Sequence, residues 1–284
     1  MMCAWKELLA ILPVWIRKDV DNLGSESLQE LRLRINAPPE LIMSEQTRCL
    51  RRVILQEDLN YIINAASHYS PWTADSMALG YITAPGGHRI GLCGEAIVKQ
   101  RHVTGMKNIT SLCVRVARDF PGIAAEVAKL DGSILVLGPP GWGKTTLLRD
   151  LICQLSKTER ICVMDERGEV FPEGLRFSKR VDVLSGCTKG DGIPMLLRTM
   201  GPTCIAVDEI TEPEDARALL EAANCGVRLL ATAHAMSVSD FCQRKVYRSL
   251  LDNKIFDVLA VLKKDKTYTV ERMTQWYPNG LEQY

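Results

Sequence analysis

This chain of 284 residues has no surplus of charge of either sign, with 35 lysines and arginines against 34 aspartates and glutamates, a net +1. The balance also holds locally, at +2 through residue 120 and −1 beyond it. A protein that grips nucleic acid through a broad basic face is therefore disfavoured. Only 6% of the residues are aromatic, which leaves few rings for stacking bases. Long hydrophobic runs are missing too. The longest, Leu8–Ile16, has nine residues, where a membrane-spanning helix needs ~20. Lys6 and Glu7 interrupt the approach to that run and no small-residue cleavage site follows it, so it does not read as a signal peptide. There is no internal repeat and no low-complexity stretch. The ten cysteines contain no Cys-x-x-Cys pair for zinc or redox chemistry. Cys153, Cys162 and Cys204 lie in apolar runs, where cysteine acts as a small hydrophobe. At 46% hydrophobic residues the chain can bury a core, which excludes disorder.

What is present falls into two patterns. Trp5, Leu8, Leu9 and Leu12 repeat at helical spacing and stop at Pro13, forming one apolar face that a core would cover. Leu31–Ile35 alternates with Arg32 and Arg34 as a half-exposed strand ahead of Pro38-Pro39. Asp58–Ser67 has helical spacing. Tyr81–Thr83 and Arg89–Cys93 predict a hairpin turning at Gly86-Gly87, and Leu112–Ala117 a further strand. From Asp131 the strands become wholly apolar and alternate with helices: Ile134–Leu137 then Thr145–Leu155, Ile161–Met164, Ile205–Val207 then Glu214–Ala223, and Leu229–Ala231. Strands apolar on both sides imply a parallel sheet covered by helices. The expectation is α/β overall: a smaller α+β amino-terminal domain over 1–120, with Asp119–Gly122 as the linker, then an α/β domain over 121–284.

The chemistry concentrates in Gly138-Pro139-Pro140-Gly141-Trp142-Gly143-Lys144-Thr145, a full match to the phosphate-binding loop G-x-x-x-x-G-K-[ST]. Its glycines let the backbone curl round a phosphate and offer bare N–H groups. A helix opens at its end with the positive end of its dipole on the same spot. Lys144 reaches the β- and γ-phosphates of ATP, and the Thr145 hydroxyl completes a Mg²⁺ shell. Such a loop needs a carboxylate at the tip of another strand. Cys204–Val207 ends in Asp208-Glu209, where Asp208 can hold the Mg²⁺ shell and Glu209 can polarise the attacking water. Ile161–Met164 ends likewise in Asp165-Glu166. A third strand, Leu229–Ala231, is followed by His234, placed to sense a γ-phosphate beyond the carboxyl ends of the sheet.

This order of motifs resembles the secretion ATPases of type II and type IV systems, and within them a sporulation branch. The resemblance rests on Glu30–Arg34 with Pro38, Gly86–Gly91, Val114–Arg118, Gly138–Thr146, Leu147–Asp150, Val163–Arg167, Val181–Leu184, Ile205–Ile210 and Thr232–His234. It implies a RecA-like ATPase domain and a hexameric, cytoplasmic motor using ATP and Mg²⁺. That motor would be held at a membrane by membrane-protein partners and would energise a secretion-like channel during endospore formation, with no direct membrane span and no nucleic-acid partner. By position it gives nucleotide-binding roles to Gly138 through Thr145 and to Thr146, an acidic-box role to Glu166, the catalytic carboxylate to Glu209, the histidine-box role to His234 and metal ligation to Thr145 and Asp208. Arg89, Arg115 and Arg118 are its candidates for arginines that close on the nucleotide. The sequence departs from the family pattern at Trp142, Thr211 and Ala235, where smaller residues or glycine are expected. Two rival readings share the core: a nucleic-acid-dependent ATPase, which the charge balance disfavours, and a nucleotide-switched structural subunit with little turnover. A small-molecule kinase is weakened by the lack of an arginine-rich lid segment.

Overall fold

The computed structural model describes residues 3–43, 45–67, 80–99, 101–171 and 180–276. Their contacts divide into two compact units, one ending at Asp119 and the other beginning at Phe120.

The amino-terminal unit opens with helices α1 (Trp5–Ile11) and α2 (Val14–Asp21), which Pro13 separates. Leu8, Ile11 and Leu12 are buried, so the apolar face read from the sequence is a core face. Next come strands β1 (Leu28–Arg34), β2 (Glu40–Met43) and β3 (Thr47–Cys49), helix α3 (Gln56–Ser67), and strands β4 (Tyr81–Ala84), β5 (His88–Lys99) and β6 (His102–Arg115). They form an antiparallel sheet in the order β3-β2-β1-β6-β5-β4. The hairpin at Gly86-Gly87 is present. However, β5 runs on to Lys99 and pairs with a β6 that begins ten residues before the expected strand. The outer half of this second hairpin is exposed on both faces, so it carries no alternating pattern for a sequence reading to find.

His88 is fully buried in this unit. Its Nε2 lies 2.8 Å from the Ala4 carbonyl, and its Nδ1 accepts the Ala117 N–H at 3.1 Å. These partners fix a neutral ring with the proton on Nε2. Burial pushes its pKa below the usual histidine value, which the Ala4 carbonyl only partly opposes. The unfolded chain takes up this proton near pH ~6.5 and the folded one resists it. The stability is therefore complete above that pH and falls as the pH drops below it. Urea unfolding at pH 7.5 and 5.5 should show the wild type losing up to ~1 kcal/mol more than H88Q over that interval.

The second unit contains β7 (Ile134–Leu137), α4 (Lys144–Leu155), β8 (Ile161–Asp165), β9 (Val181–Ser185), α5 (Lys189–Met200), β10 (Cys204–Val207), α6 (Pro213–Asn224), β11 (Arg228–Ala233), α7 (Val238–Gln243), α8 (Arg248–Asp252), β12 (Val258–Leu262) and β13 (Tyr268–Arg272). The sheet order is β13-β12-β7-β11-β10-β8-β9, parallel except for the edge strand β13. Alternate residues of its strands feed two cores. Leu135, Leu137, Met164, Ile205 and Val207 pack with α5 and α6 on one face. Ile134, Val136, Val163, Cys204 and Ala206 pack with α4 on the other. Cys162 and Cys204 are buried in these cores, and burial pushes the Cys162 thiol up to about 11.

Candidate functional site

The carboxyl ends of β7, β11, β10 and β8 stand side by side in that order. The candidate residues lie just past these ends. After β7 the chain curls through Gly141 (φ 77°) and Gly143 (φ 102°), left-handed conformations that glycine adopts freely, and enters α4 at Lys144. No atom lies within 4 Å of where a Cβ would stand on either glycine. The restriction is thus the backbone conformation that bends the loop, not crowding.

Lys144 is buried, and its Nζ lies 3.3 Å from the Pro139 carbonyl and 2.9 Å from His234 Nδ1. On its other side, His234 Nε2 lies 2.7 Å from Glu209 Oε1. Lys144 can only donate, so Nδ1 accepts and Nε2–H donates to the carboxylate. The three side chains therefore form one hydrogen-bonded chain from β7 through β11 to β10. Burial lowers the Lys144 pKa, which Glu209 and Asp208 counteract.

Thr145 Oγ1 donates to Asp208 at 3.1 Å, and Thr232 Oγ1 donates to it at 3.2 Å. The Thr232 hydroxyl also accepts the Glu209 N–H at 3.1 Å. One threonine thus ties the Asp208 carboxylate to the backbone of Glu209, although within the Thr232–His234 segment the sequence reading assigns a role only to His234. Burial raises the Asp208 pKa, with Glu169 and Asp165 adding to the effect and the threonine hydroxyls opposing it. A carboxylate destabilised in this way, beside a threonine hydroxyl, fits a divalent cation. Among the described residues no three His, Cys, Asp or Glu side chains converge on a metal by themselves. Mg²⁺ held mainly by phosphate oxygens needs only one or two protein ligands.

Glu209 has φ 28°, a left-handed conformation costly for a residue with a Cβ. With Asp165, Glu166, Arg167, Glu169, Lys189, Asp208 and Thr211 it lines a hollow of about 20 Å³, room for roughly one water. Asp165 is saturated by the backbone N–H groups of Glu169, Val170 and Phe171 at 2.8–3.0 Å, which makes it a loop organiser. Glu166 pairs with Lys189, Nζ to Oε2, at 2.7 Å. Lys189 belongs to no motif and was not expected from the sequence.

A second cleft, of about 480 Å³, adjoins the loop and is lined by Phe120, Ile123, Gly141, Trp142, Gly143, Thr146, Leu147 and Tyr268 among others. The half-buried Trp142 packs against the α4 core and forms part of its wall. Its bulk shapes the cleft beside the phosphate loop. Arg89, Arg115 and Arg118 belong to the amino-terminal unit and have local partners there. Arg89 lies 3.9 Å over the Tyr81 ring, Arg115 is 3.6 Å from Glu30, and Arg118 donates to the carbonyls of Ser25, Glu26 and Leu28.

Residues 4–274 match the family model described as "Sporulation stage III, protein AA". The "Stage III sporulation protein AA" of Bacillus subtilis (strain 168) is 35% identical over 282 residues, covering 92% of this chain and 91% of that protein. The X-ray structure of the Legionella pneumophila ATPase DotB superposes with a TM-score of 0.59 at 18% identity, over 92% of this chain and 80% of the other. The pilus retraction motor PilT, solved with bound ADP, gives 0.61 at 14% identity, over 95% and 82%. At these identities the two structures share the fold.

Proposed function

The chain belongs to the sporulation stage III protein AA family, and we propose that it works there as a Mg²⁺-dependent ATPase. The observation that carries this reading is the chain of contacts Lys144–His234–Glu209 lying beside Thr145–Asp208, all at the carboxyl edge of one parallel sheet. The backbone N–H groups of Gly141, Gly143, Lys144, Thr145 and Thr146 and the ammonium of Lys144 would hold the phosphates, Thr145 and Asp208 would hold Mg²⁺, and the cleft walled by Trp142 would take the base. Bound Mg²⁺ would neutralise charge on the phosphate oxygens.

Glu209, in a hollow with room for one water, is the base that orients that water and takes its proton. His234 couples it to the phosphates. An anionic γ-phosphate competes with His234 for the ammonium of Lys144, so phosphate arrival alters the histidine's hold on Glu209. Sensing and catalysis thus share three side chains. Glu166 would act from the acidic box.

We further propose a ring, hexameric as the family resemblance implies, in which Arg89, Arg115 or Arg118 supplies positive charge to a nucleotide. Among the described residues no helix is long and apolar enough to cross a membrane. Recruitment to a membrane complex from the cytoplasmic side would then fall to membrane-protein partners. The mass of the purified protein in solution, with and without ATP and Mg²⁺, tests the ring. A nucleotide-dependent hexamer is expected, and a strict monomer under both conditions would contradict it.

A further inference from the structure

Lys189 stands where a lysine is disfavoured twice. It is buried, and it occupies the first turn of α5, at the positive end of that helix's dipole. Burying an ammonium is costly unless carboxylates compensate it. Two do so, Glu166 at 2.7 Å and Asp215 at 3.4 Å. Asp215 is itself 4% exposed and accepts from the Thr211 N–H at 2.9 Å, the Thr211 hydroxyl at 3.2 Å and the Glu212 N–H at 3.2 Å. Thr211 lies two residues beyond Glu209. A continuous path therefore runs from Glu166, at the tip of β8, through Lys189 and Asp215 to the loop that carries Glu209 at the tip of β10.

The frame around this path is close-fitting. Val207 lies across from Met164 in the parallel β10–β8 pair, which brings Asp208-Glu209 alongside Asp165-Glu166. Helix α5 approaches β8 so closely that a Cβ on Gly192 would stand 2.2 Å from Met164 Sδ. The capping box between Glu212 and Asp215 fixes the start of α6. Two ends of the path are thus pinned to strands and its middle to two helix starts. Lys189 pairs directly with the acidic box at Glu166 and with Asp215, which in turn holds the Glu209 loop through Thr211.

Resting on the ATPase reading, we propose that Lys189 is a positioning residue: it holds the Glu166 carboxylate at the water-sized hollow and ties it to the loop bearing Glu209. It acts through Glu166 and through Asp215, the residue that holds the Glu209 loop. Glu166 shares the hollow with the carboxylates of Asp165, Glu169, Asp208 and Glu209 and with Arg167, and the Lys189 ammonium at 2.7 Å offsets the repulsion among the carboxylates.

The test is a double-mutant cycle on ATP turnover with the full chain, comparing wild type, K189M, E166Q and K189M/E166Q, with K189R as the conservative rescue. K189M is expected to lower kcat by ~10–100-fold, the usual cost of losing a group that orients an active residue, while the KM for ATP changes little. In the E166Q background the same change should have no further effect, and K189R should recover most of the loss. Melting curves check that each variant folds, and if K189M does not, K189Q replaces it in the cycle. A loss of equal size in both backgrounds would mean a merely structural role and overturn the proposal. So would full turnover in either E166Q or K189M. A wild type without turnover, or a K144A variant that retains it, would instead overturn the ATPase reading itself.

Discussion

Replacing Glu209 with glutamine should leave ATP bound and unhydrolysed, with kcat down by ~10²–10⁴-fold, the range lost with a general base. The exchange is close to isosteric. The glutamine oxygen can still accept from His234 Nε2, which lies 2.7 Å from the carboxylate, and the backbone N–H stays on the Thr232 hydroxyl. Only the basic charge next to the hollow is lost. The left-handed backbone at residue 209 is a cost that the surrounding structure sustains, and strain of this kind collects at functional sites. Phosphate release measured with the binding of a fluorescent ATP analogue separates the two steps. Unchanged turnover would remove Glu209 from proton transfer, and lost binding would make its role electrostatic support of the phosphate loop.

The second large effect is expected at Lys144. K144A should weaken ATP binding by ~100-fold, the equivalent of ~3 kcal/mol for one charge-assisted contact, and should abolish turnover at ordinary ATP concentrations. Its effect on stability should be small. Burial already disfavours the charged ammonium, so removing it relieves a cost while it strands the Pro139 carbonyl and His234 Nδ1. A melting temperature close to that of the wild type, together with lost turnover, would place the defect in chemistry and not in folding. A large drop in melting temperature would show that the lysine's contacts with Pro139 and His234 hold the loop together.

The sheet of the second unit was legible because its strands are buried on both faces. Ile134–Leu137 and Ile161–Met164 are unbroken apolar runs, and only a parallel, helix-covered sheet puts both sides of a strand in a core. The phosphate loop was legible because its geometry demands glycine at fixed offsets. The outer parts of β5 and β6 were not, since residues exposed on both faces leave no period. Lys189 was hidden for a different reason. Its meaning comes from Glu166 and Asp215, which lie 23 residues before it and 26 after it. Local sequence around Thr188-Lys189-Gly190 says only that a helix begins. Thr232 lies between these cases, visible inside a motif but with its bridging hydroxyl apparent only in three dimensions.

The most direct measurement is phosphate release from ATP by the purified wild-type chain, in Mg²⁺ and again with excess EDTA, beside K144A. The account predicts turnover in Mg²⁺ that disappears on chelation and is absent from K144A. Turnover that survives EDTA, or a K144A variant indistinguishable from wild type, would contradict it.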